Sequence, residues 1–285
     1  MAGETAPVER IYTLGPEGTF SERAAERVRA HVARAGAPAA LVYTPTIAEA
    51  LARAAADPRS LAVAPIENSD SGTVIATQDR LAQEPLLIEW QVDVRIRYAL
   101  LARGPVAGVR ALYAHSLAHA QCDLYLAEHL PEVDVAFTRS NAESGQRLLA
   151  DEAPGRAALV PLEYAARHAE LVRAEDVQNA ADNCTRFVAA RALASARPPD
   201  FSRPRASVAV EPAANRPGVL FEILGEFARA AINLRRVEAR PARTGPWTYV
   251  FYLDIECNGA AEGALEAVRA LGHGVKLLGT YEVLT

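Results

Sequence analysis

Three polar segments of this chain bring together side chains able to bind an anion and donate a proton to it. The first, Gly15-Pro16-Glu17-Gly18-Thr19-Phe20-Ser21, sets two glycines and two hydroxyls between an apolar run at 11–14 and an Ala-rich helix. Free backbone N–H groups there, with Thr19, Ser21 and the helix dipole, suit an anionic group. A plain strand-to-helix turn with Ser21 as N-cap accounts for the same composition. The absence of a closing Gly-Lys pair excludes a P-loop. The second segment, 66–73, places Glu67, Asn68, Ser69, Ser71 and Thr73 directly after the apolar run 61–65. It reads either as the lining of a cleft or as a surface turn. In the third, Asp182-Asn183-Cys184-Thr185-Arg186-Phe187 runs into apolar 188–190. A hydroxyl, a guanidinium and a ring in sequence can orient and cover a carboxylated substrate; the same residues can simply open a strand. Cys184 reads as a small packed residue, since no histidine is placed by sequence to activate it. His115 and His119 stand at i, i+4 without a third ligand, so no metal site is expected.

The elements that must position these segments follow from periodicity. With 285 residues, half of them hydrophobic and 23% charged, the chain suits two domains, or a split domain plus a small one. Disorder, collagen-like repetition and a dedicated coiled coil are excluded. Strands at 11–14, 41–43 and 61–65 alternate with helices at 22–35 and 47–56, the latter with Thr46 as N-cap. This alternation predicts an α/β unit with a mainly parallel sheet. The pattern begins again with strand character over 86–102, a strand at 111–113 and a helix through 130. A strand at 133–138, a helix from Asn141 and a strand at 157–161 complete that second set. Two such lobes place a cleft where strand C-termini meet helix N-termini. Three prolines within 197–204 mark a boundary. Beyond it strands at 206–211, 233–240, 248–256 and 275–282, with helices at 218–230 and 261–271, give the β-α-β-β-α-β order of a ferredoxin-like unit. Within it, the turn Asn215-Arg216-Pro217-Gly218 exposes backbone N–H groups.

Thirty Lys and Arg against 35 Asp and Glu leave a net charge of −5 with no sustained basic stripe, so nucleic acid is not an expected partner. Lys276 is the only lysine, and arginine is the better bidentate partner for carboxylates. Cys122, Cys184 and Cys257 form no CxxC and no disulfide framework, which points to a reducing compartment. The first ten residues are polar and no window of about 18 residues is apolar throughout. A cytoplasmic protein without membrane contact is expected.

Taken together, Gly15-Pro16-x-Gly18-Thr19-Phe20-Ser21, Pro65-Ile66-Glu67-Asn68-Ser69-x-x-Gly72-x-Val74 and Asn183-x-Thr185-Arg186-Phe187 resemble, in order and spacing, the signatures of prephenate dehydratases. The C-terminal segment is similar to the ACT regulatory domain of that family. Asn215-x-Pro217-Gly218-Val219-Leu220 resembles its Gly-Ala-Leu region, and Glu238-Ala239-Arg240-Pro241 its Glu-Ser-Arg-Pro region. The resemblance covers residues 11–282. The segment 114–122 keeps His115 and Gln121-Cys122 of the family's Ser-His-Pro-Gln-Ala-Leu-Ala-Gln-Cys, but not the Pro or the first Gln. Ala239 replaces the usual serine, and Asn141 stands where a threonine is common.

The resemblance implies a two-lobed, periplasmic-binding-protein-like α/β catalytic region over 8–196, a linker over 197–204, and a ferredoxin-like ACT domain over 205–285. It implies that prephenate loses water and CO2 to give phenylpyruvate, with neither metal nor organic cofactor. Thr185 becomes the expected catalytic hydroxyl and Arg186 the group that holds a substrate carboxylate. Phe187 would exclude water, and Thr19, Ser21, Asn68 and Ser69 would contact substrate. Glu67 would repel a dianion unless protonated, and otherwise braces its loop. In the ACT domain the same resemblance assigns Asn215, Pro217, Gly218, Val219, Leu220, Glu238, Arg240 and Pro241 to an L-phenylalanine site, with the chain a homodimer or homotetramer. Arogenate as substrate, decarboxylation with the hydroxyl retained, and a non-catalytic amino-acid sensor are the competing readings. Retention of Thr185-Arg186-Phe187 argues against the second.

Overall fold

The computed structural model describes residues 7–34, 36, 39–242, 245 and 247–285. Strands β1 (Arg10–Leu14), β2 (Ala40–Thr44) and β3 (Ser60–Asn68) run parallel in the order β2-β1-β3, joined by helices α1 (Phe20–Ala33) and α2 (Ile47–Ala56). Both helices begin with a Thr-x-x-Glu sequence. The Thr19 hydroxyl accepts from the Glu22 amide, and that of Thr46 from the Glu49 amide. Helix α1 therefore starts two residues before the predicted 22–35, with Thr19 rather than Ser21 as its cap; residue 35 lies outside the described residues. Strand β3 outruns the predicted 61–65 because Glu67 and Asn68 pair back onto the short β4 (Gly72–Thr73). Helix α3 (Ile75–Gln83) and β5 (Leu86–Arg95) follow.

The span 86–102 does not open the second lobe as one unit. It divides after β5, which stays in the first sheet, and β6 (Tyr98–Ala102) starts the second. The alternation Val92-Asp93-Val94-Arg95-Ile96-Arg97-Tyr98 runs straight through the break, so the strand pattern carries no trace of it. The second lobe comprises β6, β7 (Ala111–His115), α4 (Ser116–Gln121), α5 (Asp123–His129), β8 (Asp134–Thr138), α6 (Asn141–Ala150), β9 (Arg156–Pro161), α7 (Leu162–Ala165) and β10 (Val172–Glu175). Its sheet order is β10-β6-β9-β7-β8. The single helix expected through residue 130 breaks at Cys122, whose φ and ψ of −123° and 12° are not helical. Strand β11 (Cys184–Ala192) then returns to the first lobe, antiparallel between β3 and β5. Two α/β lobes joined by two crossings is the expected architecture.

The C-terminal domain comprises β12 (Arg205–Glu211), α8 (Val219–Arg229), β13 (Leu234–Pro241), β14 (Tyr249–Glu256), α9 (Ala261–Ala270) and β15 (Gly274–Leu284), in sheet order β13-β14-β12-β15. One face of this sheet buries Val208 and Leu253 against Ile223 and Phe227 of α8 and Val268 of α9. The other buries Ala209, Tyr252, Leu278 and Tyr281 against Leu51, Leu81 and Ile88 of the first lobe. At its far end β15 also pairs in parallel with β5, Glu282 opposite Trp90 and Leu284 opposite Val92. The domain's sheet and that of the first lobe are thus one ten-stranded sheet. The proline-rich stretch is pinned to it: the Asp200 amide donates to Thr280 Oγ1 at 2.8 Å, and Arg203 Nη1 to the Thr280 carbonyl at 2.8 Å. Among the described residues, no helix is long and apolar enough to cross a membrane.

Candidate active site

A cavity of about 720 Å³ lies between the lobes. Its floor comes from β3 and β11, where alternation sends successive side chains to opposite faces. Thr185 and Phe187 face the cavity. The register between the strands slips by one residue, leaving Ile66 without a partner on β11, so Pro65 and Asn68 both line the cavity. The Asn68 side chain is the hub of this floor. Its Nδ2 donates to Asn183 Oδ1 at 2.8 Å and to Thr185 Oγ1 at 2.9 Å. Its Oδ1 accepts from the Asp70 and Ser71 amides at 3.0 and 2.9 Å. Because Thr185 Oγ1 accepts this bond, its own proton is left to donate elsewhere, and no described residue takes it.

Two helix N-termini supply the cavity's positive ends. In α1 the Thr19 cap serves only the Glu22 amide, so the Phe20 and Ser21 amides lack an acceptor among the described residues. In α6 the Ser140 hydroxyl accepts from the Glu143 amide at 3.1 Å, leaving those of Asn141 and Ala142 without an acceptor among the described residues. The acids of both first turns are engaged by donors of their own: Glu22 accepts from the Gly18 amide and Tyr43 hydroxyl at 2.6 and 2.7 Å. Glu143 accepts from Arg139 and Arg147, which hold its carboxyl below the usual range. The site therefore suits a negatively charged ligand.

The second lobe contributes residues that the sequence reading left without a role. Tyr98, His115, Gln121, Arg139, Ser140 and Asn141 all line the cavity. His115 Nδ1 accepts from the Leu117 amide at 3.3 Å, which leaves its proton on Nε2; burial pushes its pKa down, keeping the ring neutral. Gln121 accepts from the Tyr98 hydroxyl at 3.3 Å and donates to Asp70 at 3.3 Å, tying the lobes together. Arg139 is the single guanidinium on the cavity wall among the described residues. The signal that marks this rim is Ser140-x-x-Glu143, the same N-cap sequence that opens α1. His119 packs edge-on against Phe137.

Of the expected substrate contacts, Thr19, Ser21, Asn68, Thr185 and Phe187 line the cavity, whereas Ser69 and Arg186 do not. Ser69 Oγ instead accepts from the Cys184 amide at 2.9 Å, holding the start of β11. Arg186 sits on the opposite face of its strand, paired with Glu67 at 2.9 Å and with Asp254 of the C-terminal domain at 3.3 Å. Glu67 is thereby turned from the cavity and braces β3. Cys184 is free, and burial pushes its thiol pKa up.

The expected effector set divides in the same way. Gly218, at φ +82°, starts α8 beside Val219 and Leu220, and Asn215 Nδ2 donates to the Trp247 carbonyl at 3.3 Å. Glu238 and Arg240 leave this turn and face the first lobe, where Glu238 accepts from Thr73 Oγ1 at 3.1 Å and Arg240 lies 3.7 Å from Asp79. Their strand partners, Tyr252 and Val250, belong to that same interdomain core. Pro241 borders a crevice of about 400 Å³ between α3 and the C-terminal sheet.

Gly18 fixes how the lobes meet. A Cβ there would stand 2.7 Å from the Tyr164 ring, and its φ of +85° disfavours any side chain. The Gly18→Ala variant is expected to lose about 1–3 kcal/mol of stability, measurable by urea unfolding.

A prephenate dehydratase family model matches residues 11–193, and an ACT domain model residues 213–273. A prephenate dehydratase of Mycolicibacterium vanbaalenii is 37% identical over 289 residues, covering 95% of this chain and 90% of that protein. A bifunctional chorismate mutase/prephenate dehydratase of Stutzerimonas stutzeri is 32% identical, covering 95% of this chain and 73% of the other. The crystal structure of an Arthrobacter aurescens prephenate dehydratase in complex with L-Phe superposes with a TM-score of 0.82 at 33% identity, covering 96% of this chain and 90% of that one. The chain belongs to the prephenate dehydratase family and carries a C-terminal ACT domain.

Proposed function

We propose that this chain converts prephenate to phenylpyruvate, water and CO2 in the interlobe cavity, with Thr185 donating to the departing ring hydroxyl. The observation that carries the assignment of Thr185 is its bond from Asn68, which leaves the hydroxyl proton for a ligand. In the reaction, the bond between the ring and its carboxylate carbon releases its electron pair into the ring as the C–O bond opposite breaks. CO2 departs, and the leaving hydroxide takes a proton from solvent to become water. Aromatisation supplies most of the driving force, so the protein must align the dianion and stabilise the developing hydroxide. A threonine hydroxyl is too weak an acid to give up its proton at neutral pH, and it acts as an oriented hydrogen-bond donor.

The two carboxylates of prephenate match the free amides of α1 and α6 and the Arg139 guanidinium. Replacing Arg139 by alanine is expected to raise KM about five- to tenfold with kcat nearly unchanged, since this exposed group binds ground and transition states alike. Steady-state kinetics on prephenate check it.

L-phenylalanine is the effector we assign to the ACT domain, supported by the ligand of the Arthrobacter relative and by the Asn215–Gly218 turn. Phe221, three residues past that turn, and Trp247, whose carbonyl accepts from Asn215, are 82% and 78% exposed and support pairing of two ACT domains in a homo-oligomer. The free cysteines fit a cytoplasmic setting. The deciding experiment is phenylpyruvate formation from prephenate by the purified chain, with and without L-phenylalanine. Turnover that responds to phenylalanine supports both assignments. Turnover of arogenate instead would move the substrate, and silence on both would leave a sensor.

A further inference from the structure

We infer that Asp254, in the middle of the ACT sheet, is a positioning residue for the dehydration, acting on Thr185 through Arg186; this rests on the reading of Thr185 as the group that donates to the leaving hydroxyl. Strands β3 and β11 present two faces. On one, Asn68 holds Thr185 at the cavity; on the other, their chain neighbours Glu67 and Arg186 hold each other and reach the ACT domain. Arg186 Nη1 lies 2.9 Å from Glu67 Oε2 and 3.3 Å from Asp254 Oδ2. The same Asp254 oxygen lies 3.4 Å from Arg236 Nη1, and Arg236 also donates to Gln78 of α3. The other oxygen, Oδ1, accepts from Ser207 at 2.6 Å, and Ser207 in turn bonds the Tyr281 hydroxyl at 2.8 Å.

Asp254 and Arg236 are nearly fully buried, with side chains 6% exposed. The cluster carries two guanidinium groups and two carboxylates, and it is short of acceptors. The Nε atoms of Arg186 and Arg236 and the Nε2 of Gln78 find none among the described residues. Removing the Asp254 charge leaves Arg186 with Glu67 alone and the buried Arg236 with no carboxylate partner among the described residues. Arg186 then has one anchor instead of two. Its backbone is the peptide unit next to Thr185, and a small misalignment of a donor costs rate steeply. Asp254 thereby gives the regulatory domain a grip on the reacting group without touching substrate.

The test is a double-mutant cycle in the full chain with Asp254→Asn and Thr185→Val, each variant first checked by circular dichroism and thermal unfolding. Asp254→Asn is expected to lower kcat on prephenate about tenfold with KM within threefold, and Asp254→Glu to recover part of the loss. On the Thr185→Val background, Asp254→Asn should change the residual kcat less than twofold. A purely structural role would lower both backgrounds by the same factor, and that result overturns the proposal. So does a wild-type kcat in Asp254→Asn when Thr185→Val alone is slow. A wild-type kcat in Thr185→Val overturns the role of the threonine and this proposal with it. Should Asp254→Asn fail to fold, Arg186→Lys takes its place in the cycle with the same expected pattern, since lysine keeps the charge but lacks the fork.

Discussion

The Thr185→Val variant is expected to lower kcat on prephenate by about 100-fold or more while KM moves less than threefold. Valine keeps the shape of threonine, and the position is 8% exposed, so the change is close to isosteric. The Asn68 amide that loses an acceptor retains two others, Asn183 Oδ1 at 2.8 Å and the Cys184 carbonyl at 3.2 Å. The floor therefore stays in place and what disappears is a donor aimed into the cavity. A donor that acts on charge developing only as the C–O bond breaks is worth most in the transition state, so the loss belongs in kcat. Thr185→Ser, which restores the hydroxyl, should recover most of the rate. A rise confined to KM would show that the hydroxyl only binds substrate.

Gly279→Ala is expected to cost the fold about 3–5 kcal/mol, enough to separate the ACT domain from the first lobe or to prevent soluble expression. A Cβ at this position would overlap the Ile88 carbonyl oxygen and stand 2.6 Å from its amide nitrogen, and the residue has φ of +151°. These neighbours are backbone atoms inside a sheet and cannot swing aside as a side-chain end would. The crossing lies just before β15 joins β5, where Thr280 also holds Asp200 and Arg203. Differential scanning calorimetry measures the effect. Comparison with Gly263→Ala, at an exposed helical position with open space around it, isolates the steric cause.

Much of this architecture was legible in the residue pattern. The ferredoxin-like order was readable because each of its elements is bounded by a turn or a capping residue; Thr46 announced α2, and hydroxyls beside glycines marked the start of α1. The polar clusters around Asn68 and Thr185 were visible because such residues stand out after apolar strands. What stayed hidden was direction. Arg186 and Thr185 are neighbours with equally plausible chemistry, and only the pairing of β11 with β3 and β5 decides which of them meets the cavity. Glu238 and Arg240 were turned to the first lobe by the same alternation. The second-lobe rim at Arg139 and Asn141 was obscure because its meaning depends on the two lobes facing each other, a long-range fact no local window holds. The division between β5 and β6 was invisible because the apolar-polar alternation of residues 92–98 runs through it unbroken.

The parallel pairing of β15 with β5 also bears on how the molecule is made. Glu282 follows Trp90 by roughly 190 residues, so on the ribosome the outer edge of β5 emerges long before the strand that covers it. Once β11 has joined β5 to the lobe, and for about 90 residues more, the lobe carries an exposed strand edge, the kind of surface that recruits another chain. Completing the ACT domain is therefore the step that seals the nascent enzyme against its neighbours, and regulation and chaperoning of the lobe are carried by the same stretch of polypeptide.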